Sequence, residues 1–190
     1  EISTKNIVIA TGSKPAPFRG IDIDGKIIVD STGALNLKEI PKKMVVVGGG
    51  VIGLEMGSVF NRVGTEVTVI EYLNQIAVGM DEDISKSFLR ILKKQGIDFI
   101  LNSAVTDINI KKNLATVNYQ IHAEPESNNI TANVVLIATG RQAYTTGLGL
   151  ENIKLATNKL GQVIVNEKLQ TNHPNIFAIG DVTTGPMLAH

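Results

Sequence analysis

Met44 to Glu71 reads M-V-V-V-G-G-G-V-I-G-L-E-M-G-S-V-F-N-R-V-G-T-E-V-T-V-I-E. Val45-Val46-Val47 is a β-branched run of the kind that forms a buried strand. Gly48-x-Gly50-x-x-Gly53 follows at once. Ile52, Met56, Val59, Phe60 and Val63 then recur at helical spacing and predict one apolar face. Gly64 is a natural helix stop. Val67 to Ile70 predicts a second strand, which delivers Glu71 at its end.

A strand, glycine turn, helix and second strand in this order form a dinucleotide-binding fingerprint. Gly48 permits the tight turn, Gly50 lets the backbone approach a pyrophosphate, and Gly53 lets the helix lie against the sheet. The helix N-terminus offers free N–H groups and a positive dipole end to the phosphates. Glu71 lies 18 residues after Gly53, where a carboxylate accepts hydrogen bonds from a ribose diol and repels a 2′-phosphate. No Arg or Lys follows in Tyr72-Leu73-Asn74-Gln75. The chemistry points to NAD rather than NADP. The bland alternative is a glycine-rich turn in some other α/β protein.

The 190 residues are 43% hydrophobic, enough to bury one or two small cores. Eighteen basic residues balance 18 acidic ones, so the charge gives no sign of nucleic acid or an anionic membrane as partner. No apolar run approaches the roughly 20 residues of a membrane span. The chain has no cysteine, which removes disulfides, thiolate metal sites and cysteine nucleophiles from these residues and fits an intracellular protein. It opens Glu1-Ile2-Ser3-Thr4, without Met, as a processed product or a piece of something longer would.

Along the chain, Asn6 to Ser13 predicts a short buried strand entering a glycine turn, and Lys14 to Gly25 a connector. Ile27-Ile28-Val29 predicts a strand and Gly33 to Leu37 a brief helix capped by Asp30, Ser31 or Thr32. Asp81 caps a predicted helix from Glu82 to Gln95, with Ile84, Phe88, Ile91 and Leu92 inward and Gly96 as its stop. Ile97 to Leu101 predicts a third strand. Val105 to Ile110 and Ala115 to Ile121 alternate and predict an antiparallel meander, with Glu124 to Asn129 as a polar loop. Asn133 to Arg141 closes the region as a buried strand. Gln162 to Val165 and Asn175 to Ile179 are further strand candidates, the latter entering Gly180-Asp181. N-I-V-I-A-T-G at Asn6 to Gly12 and V-V-L-I-A-T-G at Val134 to Gly140 echo each other 128 residues apart. That interval suggests two related nucleotide-binding units, one inserted in the other.

Other motifs weigh little. Gly20 to Lys26 has the start of a P-loop spacing, but Ile27 stands where Mg²⁺ needs Ser or Thr. His122, His173 and His190 lack metal-ligand spacing. Lys111-Lys112 reads as a solvated turn, and Arg62 as a surface residue on the helix.

G-G-G-V-I-G-L-E, the two A-T-G strand ends, and A-I-G-D followed by G-P-M-L-A-H resemble the flavin-dependent disulfide reductases. Within them, Ser31 to Leu35, Gly79-Met80-Asp81, Lys94-Gln95-Gly96 and Leu148 to Glu151 look most like the dihydrolipoamide dehydrogenase branch. The resemblance covers essentially the whole chain. It implies an α/β, Rossmann-like NAD-binding domain at 14–141 (parallel sheet, helices and an antiparallel meander), flanked by FAD-domain segments at 1–13 and 142–190. It implies that Gly48, Gly49, Gly50, Val51, Ile52, Gly53, Leu54 and Glu55 line the NAD pyrophosphate and nicotinamide ribose. Glu71 would take the adenosine ribose, with Val105 near the adenine and Gly140 near the dinucleotide. Thr11, Gly12 and Ser13 would border FAD, and Asp181 would bond its ribityl chain. Met187, Leu188, Ala189 and His190 would present backbone groups to the isoalloxazine.

The implied enzyme oxidises dihydrolipoamide, carried on a lipoyl domain of a 2-oxo acid dehydrogenase complex, through a redox disulfide and FAD, and reduces NAD. It would be a homodimer of the bacterial cytoplasm or mitochondrial matrix. The family's cysteine pair would precede the first strand here, and its His-Glu pair would follow His190. The chain is therefore expected to be a central segment, inactive by itself and holding no catalytic residue. Ala143 stands where the family has Pro, which is expected to loosen a turn. Alternatives are the same segment of another flavin disulfide reductase or NADH oxidase, and a non-enzymatic nucleotide-binding module.

Overall fold

In the computed structural model, which describes residues 2–122 and 124–187, the valine run is the centre of a parallel sheet. In chain order the strands are β1 (Ile7–Ile9), β2 (Ser13–Pro15), β3 (Ile28–Val29), β4 (Lys43–Val47), β5 (Glu66–Ile70), β6 (Asp98–Ile100), β7 (Ser103–Lys111), β8 (Leu114–Ile121), β9 (Ser127–Ala132), β10 (Val134–Ile137), β11 (Arg141–Ala143) and β12 (Ile176–Ala178). The α-helices are α1 (Ser31–Leu35), α2 (Val51–Arg62) and α3 (Glu82–Lys94). The chain divides into two compact units, Glu1–Ala16 with Arg141–His190, and Pro17–Gly140.

In the unit Pro17–Gly140, five parallel strands run in the order β3-β10-β4-β5-β6. Because side chains alternate along a strand, Met44 and Val46 of β4 enter one core with Leu54, Phe60, Val67, Val69 and Leu92, on the helical face. Val45 and Val47 enter a second core with Ala115, Val117 and Ala132, beneath the three-stranded antiparallel meander β7-β8-β9. Burial on both faces explains why β4 and β10 are continuous apolar runs and not alternating ones.

The helices differ from their expected faces. α2 buries Gly53, Leu54, Gly57 and Phe60, and leaves Val59 and Val63 exposed. A Cβ on Gly57 would lie 3.4 Å from Val67 Cγ1, so small residues bring this helix close to the sheet. α3 buries Ser85 and Leu92, whereas Ile84, Phe88 and Ile91 are 60%, 37% and 50% exposed. Ser85 faces inward because its hydroxyl donates to the carbonyl of Ile76 at 2.5 Å. Of the apolar side chains left outside, Val59, Ile84 and Phe88 line an open groove of about 680 Å³ between α2 and α3.

Capping follows the sequence. Asp81 accepts from the N–H groups of Asp83 and Ile84, and Asp30 from that of Gly33. The expected polar loop at Glu124 to Asn129 is partly strand: Ser127–Ala132 is the edge of the meander, and its exposed residues Ser127, Asn129 and Thr131 alternate with the more buried Asn128, Ile130 and Ala132.

In the other unit, β1 pairs in parallel with β12, and β11 pairs antiparallel with β2. Ile9, Ala143, Leu150, Leu155, Val163, Ile176, Ala178 and Val182 form its core. Only Ile9 of β1 is buried; Ile7 and Val8 are 45% and 57% exposed, so the expected buried strand is an edge strand of a two-stranded sheet. Gln162 to Val165 is not a continuous strand: Val163 forms isolated bridges to Thr157 and Thr183. Ala143 is a buried strand residue and not a loosened turn.

The stretch with P-loop-like spacing has its own use. The Asp24 carboxylate accepts from the N–H groups of Lys26, Ile27 and Ile28 at 2.8–2.9 Å, which fixes the entry to β3. Burial pushes this carboxyl up, but the three N–H bonds and the Lys26 charge together outweigh it and hold the group below its ordinary value. A carboxyl lowered on folding stabilises above its unfolded pKa, and that contribution is lost as pH falls through the folded pKa. Asp24→Ala is expected to cost about 1 kcal/mol at neutral pH, the scale of a side-chain cap at an exposed site. Urea unfolding should show the difference shrinking below about pH 4; an unchanged difference at pH 3 would mean that the carboxylate charge is not what holds the turn.

Candidate nucleotide-binding site

The C-terminal end of β4 is where the parallel sheet opens to ligand. Gly48 has φ 109°, and a Cβ there would meet the Ala138 carbonyl oxygen at 2.5 Å. A Cβ on Gly53 would clash with the Gly48 carbonyl oxygen and lie 3.3 Å from Ala138 Cβ. These two glycines are demanded by packing. Gly50 is different: nothing lies within 4 Å of where its Cβ would stand. It is the N-cap of α2 and has no side chain to bond the first-turn N–H groups, which lack intrahelical acceptors. The space over Gly50 and the unsatisfied donors behind it fit a pyrophosphate. Arg62 is in the last turn of this 12-residue helix, roughly 16 Å along its axis from the N-terminal end.

Glu71 stands at the end of β5, half-buried. Its Oε2 accepts from Gly49 N–H at 2.5 Å and its Oε1 from Leu73 N–H at 2.8 Å. The ribose-type carboxylate and the glycine turn are thus in direct contact. A cavity of about 370 Å³ opens beside them, lined by Gly48, Glu71, Val105 and Thr139, and also by Phe18 and Tyr72, which the sequence reading did not single out. Tyr72 is held edge-to-face on His122, with ring centroids 4.4 Å apart.

The remaining expected residues of this unit are spread around the turn. Val51 and Glu55 are exposed on α2, and Ile52 is half-buried. Leu54 is 2% exposed and belongs to the core, so its side chain is not offered to a ligand. Gly140 is exposed, with φ 142°.

In the other unit, Ser13 and Asp181 come together across 168 residues: the Ser13 hydroxyl donates to Asp181 Oδ2 at 2.6 Å. Arg141 completes the group. Its Nε donates to Ser13 Oγ at 2.6 Å and a terminal nitrogen donates to the Ser13 carbonyl at 2.7 Å, with Asp181 Oδ2 4.0 Å from Nε. The sequence pattern assigns Arg141 no part; its place directly after an A-T-G strand end is the available signal. Thr11 Oγ1 donates to the Tyr144 carbonyl at 2.6 Å, and Gly12 has φ 70° with open space around it. Met187 is half-buried, and Leu188, Ala189 and His190 lie outside the described residues. Among the described residues no cluster of His, Cys, Asp and Glu could hold a metal, and no helix is long and apolar enough to cross a membrane.

The family model of the pyridine nucleotide-disulphide oxidoreductases matches residues 1–190. The chain belongs to that family. Its α/β architecture, with a parallel sheet and an antiparallel meander, is the Rossmann-like fold of these oxidoreductases. The mitochondrial dihydrolipoyl dehydrogenase of Caenorhabditis elegans is 48% identical over 190 residues, and that of Homo sapiens 50% over 192. Both alignments cover the whole of this chain and 38% of the relative, so the chain spans 38% of the length of these proteins. Among solved structures, the Cu(II) complex of the HOCl-induced flavoprotein disulfide reductase RclA from Escherichia coli superposes with TM-score 0.87 at 36% identity, covering 98% of this chain and 42% of that one.

The glycines separate packing from binding. Gly53→Ala is expected to destabilise the fold by about 1–3 kcal/mol, the scale of overpacking against backbone. Gly50→Ala should cost less, no more than about 1 kcal/mol at an N-cap, and should weaken nucleotide binding about tenfold or more by filling the open space over the turn. Thermal unfolding and calorimetric titration of both variants check this; retained NADH affinity in Gly50→Ala would remove the turn from the site.

Proposed function

We propose that Pro17–Gly140 is the NAD-binding module of a dihydrolipoyl dehydrogenase, and that Glu1–Ala16 with Arg141–His190 contributes one part of its FAD site. The observation that carries this reading is the glycine turn of Met44 to Glu71, open at Gly50 and ending in a carboxylate, in a chain half identical to enzymes of that name. The boundaries proposed are those of the two compact units.

When bound, NAD and FAD supply the hydride chemistry by which a dithiol is oxidised to a disulfide as NAD becomes NADH. The residues of this chain hold and orient. The α2 N-terminus and Gly48 to Gly53 receive the pyrophosphate, Glu71 takes the adenosine diol, and Val105 borders the adenine. Glu55 positions the nicotinamide, and Gly140 lies along the dinucleotide. Asp181, kept in place by Ser13 and Arg141, accepts from the ribityl hydroxyls of FAD. Thr11 and Gly12 border the flavin, and Met187 offers it backbone groups. The electron donor is a dihydrolipoyl group on the carrier domain of a 2-oxo acid dehydrogenase complex, and the enzyme works as a homodimer. The cysteine pair it uses is not among these 190 residues. The compartment that suits this role is the mitochondrial matrix or the bacterial cytoplasm; the names of the relatives call those proteins mitochondrial.

A second reading, another flavin disulfide reductase, is favoured by the superposition on RclA. Cofactor choice constrains both. Titration of the chain with NADH and NADPH by calorimetry should show NADH preferred by at least about tenfold, a difference of 1.4 kcal/mol, with the preference lost in Glu71→Ala. Equal or NADPH-favouring binding would overturn the NAD assignment.

A further inference from the structure

We propose that Glu71 is a positioning residue for the phosphate-binding turn as well as an acceptor for the ribose, so that one carboxylate ties the two halves of the nucleotide site together. The inference rests on the nucleotide-binding reading and deepens it.

The Glu71 backbone is itself pinned. Its N–H donates to the Ile100 carbonyl and its carbonyl accepts from Ser103 N–H, both at 2.9 Å, which fixes the residue between β6 and β7. From there the side chain reaches back to the turn. Gly49 N–H donates to Oε2 and Leu73 N–H to Oε1. The turn is held on its other sides by the same stretch of chain: Gly48 N–H donates to the Ile70 carbonyl at 2.9 Å, and Ala77 N–H to the Gly49 carbonyl at 2.8 Å. Gly49 is also pressed on the carboxylate, since a Cβ there would lie 3.1 Å from Oε2 and 3.2 Å from Ile76 Cγ2. These ties end at Gly49. Gly50, one residue on, has open space on its Cβ side.

The donor count fits a double role. An ionised carboxylate offers about four lone-pair sites. Two are taken by Gly49 and Leu73, and two remain, one for each hydroxyl of a ribose diol. Ribose binding therefore leaves the latch intact. Gln has only one oxygen, so Glu71→Gln must turn an NH₂ toward one of the two backbone donors. Asp keeps both oxygens but is one methylene short of Gly49. Removing the charge to admit a 2′-phosphate consequently loosens the pyrophosphate turn at the same time.

The test separates turn from ribose by deleting the diol from the ligand. The chain and its Glu71→Gln variant are titrated with ADP and with 2′,3′-dideoxy-ADP, which keeps the adenine and diphosphate. The proposal expects the variant to lose affinity for dideoxy-ADP by about tenfold, the weight of a charge-assisted hydrogen bond. A carboxylate serving only the ribose would leave that affinity unchanged and weaken ADP alone, which overturns the proposal. Amide hydrogen exchange on the ligand-free proteins gives a readout independent of nucleotide binding. Protection at Gly49 and Leu73 should fall in Glu71→Gln while that of Val67 and Val69 in β5 stays the same; unchanged protection at Gly49, or equal loss throughout β5, overturns it. If the unaltered chain binds neither nucleotide, the nucleotide-binding reading fails and the exchange result still decides whether Glu71 holds the turn.

Discussion

The unit Pro17–Gly140 depends on a sheet that must be covered on both faces. Val46 is wholly buried on the helical side, and Val45 and Val47 are nearly so on the meander side. A strand with no polar face leaves only the ends of the sheet for chemistry. At the C-terminal end, the backbone of β4 needs polar partners just as the chain turns, and the turn is where Gly48, Gly49 and Gly50 stand. The site follows from the double burial: the layers exclude water from everywhere else, and the strand ends expose N–H groups that a phosphate can satisfy.

Packing at this end is tight enough to dictate residue size on three segments together. Gly53 lies against the Gly48 carbonyl, Gly48 against the Ala138 carbonyl, and Ala138 against α2. The alanine of the A-T-G ending is therefore part of the fingerprint, although it stands 85 residues after Gly53 in the chain. A larger side chain at any of the three would push α2 from the sheet and carry its N-terminus away from the glycine turn.

Features encoded locally were legible in the sequence: the glycine turn, the Asp81 cap, the β-branched strands of the parallel sheet and the two long strands of the meander; at the first helix the cap was left among Asp30, Ser31 and Thr32, and Ser31 and Thr32 prove to be inside the helix. Features that depend on what lies opposite were not. Periodicity finds an apolar stripe on α3 but does not say which side meets the core; Ser85 turns inward because Ile76 offers it a carbonyl, and Ile84, Phe88 and Ile91 remain outside. The polar edge strand Ser127–Ala132 was invisible to an apolar pattern because its backbone pairing with β8, and not its side chains, makes it a strand. The place of Glu71 at the end of β5 was legible, but its bonds to Gly49 and Leu73 were not, because backbone donors leave no mark on sequence. Arg141 escaped for a similar reason: its partners Ser13 and Asp181 are 128 and 40 residues away.

The two A-T-G strand ends show the same division within one motif. Both glycines adopt positive φ, 70° at Gly12 and 142° at Gly140, so both strands end in a turn that an L side chain resists. The strands that lead into them differ in burial. Val135, Leu136 and Ile137 of β10 lie between two layers and are buried, whereas Ile7 and Val8 of β1, in a sheet of two strands, are open to solvent. A near-identical sequence specifies the turn in both places because the turn is a property of a few residues. Burial is a property of the layers around them, and those layers are written elsewhere in the chain.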